Sequence, residues 1–249
     1  MSIWLLLATV AFGSVVGWIL SEGRPRDRFG NPIYKPIRVD IDQTRKLRLT
    51  AAPEGAKPAV MIIDTETTGL PPEEGGLDPS LKRIAVVQLA WILLDAEGRK
   101  IEEHCFLLSQ PEEEIPYEAE AIHHISTEQM RTEGESPAEV YGLLLERLEA
   151  RPLLVAHNAA YHLAVLVRDM QCHACDPSPL LEADSYCTME SGIDAAHIIG
   201  AAGQWKYPKL GELFGVLYYG KPRLELKYSN KALADVRMVA AVYKRLTGI

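Results

Sequence analysis

The sequence lacks the excess of positive charge that would draw a whole protein toward nucleic acid. Its 249 residues include 26 lysines and arginines against 34 aspartates and glutamates, so the formal net charge is -8. Any contact with a polyanion must therefore come from a local basic patch or from bound cations. The apolar share of 47% excludes wholesale disorder and is typical of a globular domain.

Cysteine is scarce, and no second CxxC pair accompanies Cys172 and Cys175 among the four cysteines. A lone CxxC could bind a metal or cycle as a redox pair, with His173 and Cys187 as further candidate ligands. The alternative is a pair of reduced thiols in a cytoplasmic domain.

Charged side chains are absent from Ser2 to Leu20, a run rich in leucine, valine and alanine. A helix of this length would span roughly 28 Å, about the thickness of the hydrocarbon core of a bilayer. Trp4 and Trp18 lie near its ends, where indole rings favour the membrane interface. A secretory signal peptide or a buried helix is the alternative, but no lysine or arginine precedes the run.

The first basic residues after this run are arginines between positions 24 and 28, which by the positive-inside rule keep the following chain in the cytoplasm. We therefore expect residues 1–20 to be a single-pass anchor in the cell membrane. Residues 21–57, with several prolines and glycines, are expected to form a linker. Residues 58–249 are expected to form one cytoplasmic domain.

The pattern of residues 58–249 predicts an α/β domain. Ala59–Ile63 is typical of a buried central strand, and Ile84–Leu94 and Ile101–Leu108 complete a three-stranded meander. Leu153–Ala156 predicts another buried strand. A meander followed by alternating helices and strands indicates a layered α/β arrangement.

Three stretches predict helices. Ser136 and Pro137 are typical of a helix start, and a helical pattern also follows Leu153–Ala156 as far as Met170. Residues 231–246 predict the last helix. The first of these helices has an expected apolar face of Val140, Leu143, Leu144, Leu145 and Leu148.

Two carboxylates directly follow the first predicted strand. Asp64 and Glu66 are two positions apart, so on an extended strand both side chains project to the same side. Like charges held together are costly unless a cation neutralises them. Oxygen ligands of this kind suit Mg²⁺ or Mn²⁺, so the pair indicates a candidate metal site.

The string from Asp64 to Leu70, DTETTGL, resembles the first motif of the DEDD 3′-5′ exonucleases, the DnaQ-like or RNase T-like superfamily and its DEDDh subgroup. Three later stretches resemble further parts of the family pattern, in the same order along the chain: Ala121–Ser126, Ala156–His162 and Ala232–Val236. The resemblance runs from Pro58 to the end of the sequence.

This resemblance implies a ribonuclease H-like fold, with a mixed central sheet flanked by helices. It also implies two divalent cations, Mg²⁺ or Mn²⁺, that clamp a scissile phosphate and activate water. Carried over by position, Asp64, Glu66 and Asp235 are the expected metal ligands and catalytic carboxylates. The implied substrate is the 3′ end of DNA or RNA.

Four further residues are implied around that centre. Thr67 and Leu70 are expected to face the 3′-terminal nucleotide, through backbone contacts and apolar packing. His157 and Asn158 are expected to shape the surroundings of the ligands and are assigned to substrate binding.

The sequence departs from the family pattern at two catalytic positions. His162 stands where the second motif has an aspartate, and Asn230 stands where the family has its general-base histidine. Asparagine cannot exchange a proton near neutral pH, and neutral imidazole is a poor ligand for Mg²⁺. His162 could itself be the general base, or it could be structural. His123, His124 or His157 could instead lie close enough to the metal site to act as the base.

Three hypotheses follow. The first is a membrane-tethered 3′-5′ exonuclease with weak or altered activity. The second is a pseudo-exonuclease that binds nucleic acid or acts as a scaffold without turnover. The third is a structural subunit of a membrane complex in which the acidic cluster is a relic.

Overall fold

The computed structural model describes residues 49–69, 84–201, 203–222 and 232–249. The predicted anchor at residues 1–20 and most of the predicted linker lie outside this part of the chain. None of the helices in the described ranges is both long and apolar enough to cross a membrane.

A five-stranded sheet forms the centre of the described domain. Its strands are β1 (Val60–Thr67), β2 (Val86–Leu94), β3 (Lys100–Leu107), β4 (Leu153–Ala156) and β5 (Ser185–Cys187). The order across the sheet is β3-β2-β1-β4-β5. The first three strands form an antiparallel meander, while β4 and β5 run parallel to β1, so the sheet is mixed.

The helices follow in chain order. They are α1 (Tyr117–His123), α2 (Thr127–Glu133), α3 (Pro137–Leu148), α4 (Ala159–Cys172), α5 (Ser178–Glu182), α6 (Thr188–Ser191), α7 (Ile193–Ala196), α8 (Leu210–Tyr219) and α9 (Ala232–Thr247). Each strand predicted from the sequence is present, and the predicted mixed α/β architecture is confirmed.

The alternation of side chains along β1 separates two apolar layers. Val60 and Ile62 pack on one face of the sheet with residues of α9. Met61 and Ile63 pack on the other face with residues of α3 and α4. Because successive strand residues point to opposite faces, one strand serves both layers. The sheet is therefore covered by helices on both sides.

Residues 49–52 extend this core beyond β1. The backbone N–H of Lys100 donates to the carbonyl of Thr50 at 2.7 Å, and that of Ala52 donates to the carbonyl of Lys100 at 2.8 Å. Leu49 packs against the apolar layer under α9. This end of the predicted linker thus lies beside the first residue of β3.

The predicted apolar face of α3 was wrong at one position. Val140, Leu144 and Leu148 are buried, as expected, whereas Leu143 is 36% exposed. Residues four apart share a face of a helix, and Leu143 falls outside that row. The three consecutive leucines hid this distinction in the sequence.

Leu143 and Leu144 provide a matched pair for testing the core. Leu144→Ala removes a side chain that is fully buried and should lower the free energy of unfolding by about 2–5 kcal/mol, because it leaves a cavity. Urea denaturation measures this loss. Leu143→Ala is the control, with an expected change of about 0.5 kcal/mol or less. Equal losses in the two variants would contradict the packing of α3.

Candidate active site

Three carboxylates converge at the end of β1. Asp64 and Glu66 come from that strand, Asp235 comes from the first turn of α9, and one oxygen atom of each lies within 4.8 Å of the others. Asp64 is buried, while the other two are half-buried. The expected grouping of these three side chains is therefore present.

Strand geometry determines which face the first two carboxylates take. Asp64 and Glu66 continue the series of Val60 and Ile62, whose side chains pack against α9. The period of two along a strand places all four on that face. Glu66 and Asp64 thus point toward the helix that carries Asp235.

The start of α9 is held in place by β2. The side-chain oxygen Oε1 of Gln88 accepts a hydrogen bond from the backbone N–H of Ala232 at 3.0 Å. Gln88 is the register partner of Glu66, so this contact secures the first turn of α9 beside the carboxylates. Gln88 was not predicted as a site residue; its only signal in the sequence is a polar side chain within an apolar strand.

A second contact secures the same helix one turn later. The guanidinium of Arg237 donates to both carboxylate oxygens of Glu103 on β3, from Nε at 2.6 Å and from Nη2 at 2.9 Å. Such two-point pairs fix orientation as well as distance. No pattern in the sequence indicates this pair.

Burial makes the three carboxyl groups hard to ionise together. Burial, followed by the charge of Asp235, raises the pKa of Glu66 to about 8. Burial raises the pKa of Asp235 to about 7. Burial, then Asp235 and Glu66, raises the pKa of Asp64 well above its usual range. Without a cation, the cluster therefore retains protons near neutral pH.

The donor set fits a hard divalent cation. All three groups offer carboxylate oxygens, which suit Mg²⁺ and Mn²⁺. Among the described residues, no lysine or arginine forms an ion pair with Asp64, Glu66 or Asp235. A cation would supply the positive charge that these side chains otherwise lack.

His162 lies next to this cluster. It belongs to the first turn of α4, is buried, and places Nε2 3.3 Å from Oδ1 of Asp64. Its Nδ1 lies 3.2 Å from the backbone nitrogen of Thr65 and 2.9 Å from the Thr65 hydroxyl. Burial lowers the pKa of His162 to about 4, so the ring is neutral at pH 7.

His157 and Asn158 occupy the turn between β4 and α4. His157 places Nε2 3.0 Å from the carbonyl of Pro208 and Nδ1 3.1 Å from the Thr188 hydroxyl. Burial lowers its pKa to about 4. Asn158 has a φ of 72°, a left-handed conformation that asparagine tolerates well. Its carbonyl accepts the backbone N–H groups of Tyr161 and His162.

The hydroxyl of Thr67, the last residue of β1, makes two contacts. It donates to the carbonyl of Gly69 at 2.7 Å and lies 2.8 Å from the Tyr161 hydroxyl. Tyr161 was not identified from the sequence. The expected roles of Leu70 and Asn230 fall on residues outside the described ranges.

His123 and His124 lie at the end of α1. The ring of His123 is buried and accepts the Ile125 backbone N–H at Nδ1, 3.1 Å away. Burial lowers the pKa of His123, and the backbone of Thr67 opposes that shift. His124 is exposed and adopts a φ of 59°.

Cys172 and Cys175 are free thiols. Sγ of Cys175 donates to the carbonyl of His173 at 3.6 Å. Across the described ranges, the carboxylate cluster is the one group of three or more side chains arranged to hold a metal. The CxxC is not part of such a group.

The raised carboxyl pKa values predict a stability that depends on pH. Unfolded carboxyl groups have a pKa of about 4, so the folded state retains more protons than the unfolded state up to about pH 8. The depressed pKa values of His157 and His162 act oppositely, but only below about pH 6.5. In EDTA, the free energy of unfolding should therefore fall between pH 6.5 and 8.5.

Urea denaturation across that pH range measures the effect. The slope should be about 1.4 kcal/mol per pH unit for each proton by which the two states differ. Asp235→Asn should flatten it, because it removes one of the repelling charges. Glu182→Gln, at an exposed carboxylate, is the control and should leave it unchanged. A stability that rises with pH in EDTA would contradict the electrostatics of the cluster.

Comparison with known sequences identifies an exonuclease family profile and a subunit of a DNA polymerase. Residues 61–243 match the profile of the RNase T family, described as exonuclease. The DNA polymerase III subunit epsilon of Rickettsia typhi is 27% identical over 188 residues, which cover 76% of this chain and 73% of the relative.

Solved structures of exonuclease I proteins have a similar fold. Escherichia coli exonuclease I in complex with a dT13 oligonucleotide has a TM-score of 0.58 at 18% identity, over 74% of this chain and 40% of that one. Exonuclease I from Methylocaldum szegediense has a TM-score of 0.58 at 20% identity, over 75% and 39%. This chain thus spans less than half the length of these exonuclease I proteins. With the profile match, these findings show that the chain belongs to the RNase T exonuclease family, within the DEDD (DnaQ-like) 3′-5′ exonuclease superfamily.

Proposed function

We propose that this protein hydrolyses phosphodiester bonds at the 3′ ends of nucleic acid with the help of divalent cations. One observation carries the proposal: Asp64, Glu66 and Asp235, far apart in sequence, meet within 4.8 Å in an exonuclease-family fold. Such a cluster, with raised carboxyl pKa values, is suited to releasing protons and binding a hard cation.

Several residues of the chain have distinct roles in the proposed reaction. Asp64, Glu66 and Asp235 would hold Mg²⁺ or Mn²⁺, and Gln88 keeps the helix of Asp235 against β1. Bound divalent cations supply Lewis acidity and lower the pKa of water in reactions of this class. The neighbouring Tyr161 hydroxyl orients Thr67 at the end of β1, beside the expected position of the terminal nucleotide.

A single-stranded 3′ end is the proposed substrate. Support comes from exonuclease I neighbours solved with dT13 and dA16 oligonucleotides. The net charge of -8 means that electrostatic repulsion by the chain as a whole would oppose binding of such a strand. Cations in the carboxylate cluster would offset that repulsion where the phosphate must approach.

The proposed activity is weak. His162 contributes no carboxylate at the second-motif position, and Asn230 cannot act as a general base. A general base contributes about 10²–10⁴-fold to such reactions. We therefore propose turnover well below that of a family member with both groups.

The expected activity can be tested on the full chain with 5′-labelled single-stranded DNA and RNA, in Mn²⁺ and in Mg²⁺. Slow shortening from the 3′ end is expected, faster in Mn²⁺ because Mg²⁺ demands near-ideal octahedral geometry, which a site with few carboxylates meets less readily. Asp64→Ala should abolish it, and Glu182→Gln should retain it. Shortening that survives Asp64→Ala would reject the proposal.

The second candidate is a protein that binds 3′ ends without turnover. The position of His162, buried and 3.3 Å from Asp64, favours it because the side chain occupies space beside the ligands. The combined variant His162→Asp with Asn230→His separates the two functions. Cation-dependent binding with no cleavage by the natural protein, and cleavage gained by the variant, would favour this candidate over the first.

We also propose that residues 1–20 anchor the domain to the cell membrane, with the domain on the cytoplasmic side. The support is the uncharged run and the arginines that follow it. After alkaline carbonate extraction of cells, the full chain should stay in the membrane pellet and a chain without residues 1–20 should not. Release of the full chain would reject the anchor.

A further inference from the structure

His162 is held by contacts on both ring nitrogens. Nδ1 lies 3.2 Å from the backbone nitrogen of Thr65 and 2.9 Å from its hydroxyl, and Nε2 lies 3.3 Å from Oδ1 of Asp64. His162 is only 7% exposed, so water does not compete freely for its two ring nitrogens.

The Thr65 contact determines the tautomer of the ring. A backbone N–H can only donate, so Nδ1 must accept with its lone pair. A neutral imidazole then carries its single proton on Nε2. That N–H faces Oδ1 of Asp64, an acceptor.

The sheet explains why Thr65 needs this partner. β4 pairs with β1 only at Val60, Met61 and Ile62. Past Ile62, that edge of β1 has lost its neighbouring strand, and buried backbone N–H groups require an acceptor. His162, in the first turn after β4, provides the acceptor for Thr65.

Neither nitrogen therefore has a lone pair to offer a metal. For Nε2 to become a ligand, the proton would have to move to Nδ1. The Thr65 hydroxyl could accept it there, but the backbone N–H of Thr65 would lose its acceptor and would face a second donor. The same argument removes His162 as a general base, because its accepting nitrogen is already used.

We infer that His162 is a positioning residue that holds Asp64 and Thr65, and that the site consequently binds one divalent cation instead of a pair. This inference rests on the proposed function, since it concerns the same carboxylates. The cation is held by Asp64, Glu66 and Asp235, whose oxygens fit one ion. The position for a second ion lacks its carboxylate because the imidazole fills that place.

Counting bound Mn²⁺ on the full chain tests the inference without an activity assay. Isothermal titration calorimetry should give one ion per chain, with the electron paramagnetic resonance spectrum of isolated Mn²⁺. His162→Asp should bind two ions with a spin-coupled spectrum. His124→Asp is the matched control: it adds a carboxylate at an exposed position and should remain at one.

Each outcome has one meaning. Two coupled ions in the natural protein, or a folded His162→Asp variant that remains at one, would overturn the inference and leave the proposed nuclease function in place. If no Mn²⁺ binds, or if Mn²⁺ still binds after Asp64→Ala, both the inference and the proposed nuclease function are overturned. The two failures are therefore distinguishable.

A measurement on the unaltered chain covers the case in which His162→Asp does not fold. The ¹⁵N chemical shifts of the His162 ring report which nitrogen carries the proton. We expect the proton on Nε2 both without and with saturating Mg²⁺. Transfer of the proton to Nδ1 on addition of Mg²⁺ would show that His162 is a ligand and would overturn the inference.

Discussion

The rest of the site depends on the repulsion among three carboxylates held within 4.8 Å of one another. Burial raises the pKa values of all three, and neighbouring carboxylates raise those of Asp64 and Glu66 further, so without a cation the cluster keeps protons that ordinary carboxyl groups would lose. The fold must overcome this repulsion through packing elsewhere. A bound cation would relieve it directly, which couples the chemistry of the site to the stability of the domain.

That packing comes from the two layers that share β1. The apolar residues of α9 pack against the face of the sheet that carries Asp64 and Glu66. Gln88 and the Arg237–Glu103 pair fix the position of this helix along the sheet. Because a buried helix cannot shift without disturbing its whole apolar contact, Asp235 stays near the strand despite the unfavourable charge.

Sequence patterns predicted those parts of the site that depend on local geometry. The alternation in Val60–Ile63 fixes the shared side of Asp64 and Glu66, since the backbone dictates a period of two. The approach of Asp235 followed only from family resemblance. The contact between Gln88 and α9 could not be predicted, because it depends on strand register. The same holds for His162, whose bond to Thr65 exists only because β4 ends early. Helix faces with consecutive leucines, as in α3, were likewise ambiguous.

The protein is thus an exonuclease-family domain in which we infer a structural role for His162, at a position where the family resemblance implies a carboxylate. We propose that Asp64, Glu66 and Asp235 act together as a cation site. The most direct test is anomalous X-ray diffraction from crystals of the protein soaked in Mn²⁺. We expect an anomalous peak within bonding distance of all three carboxylates; three ordered side chains with no peak between them would show that they hold no cation.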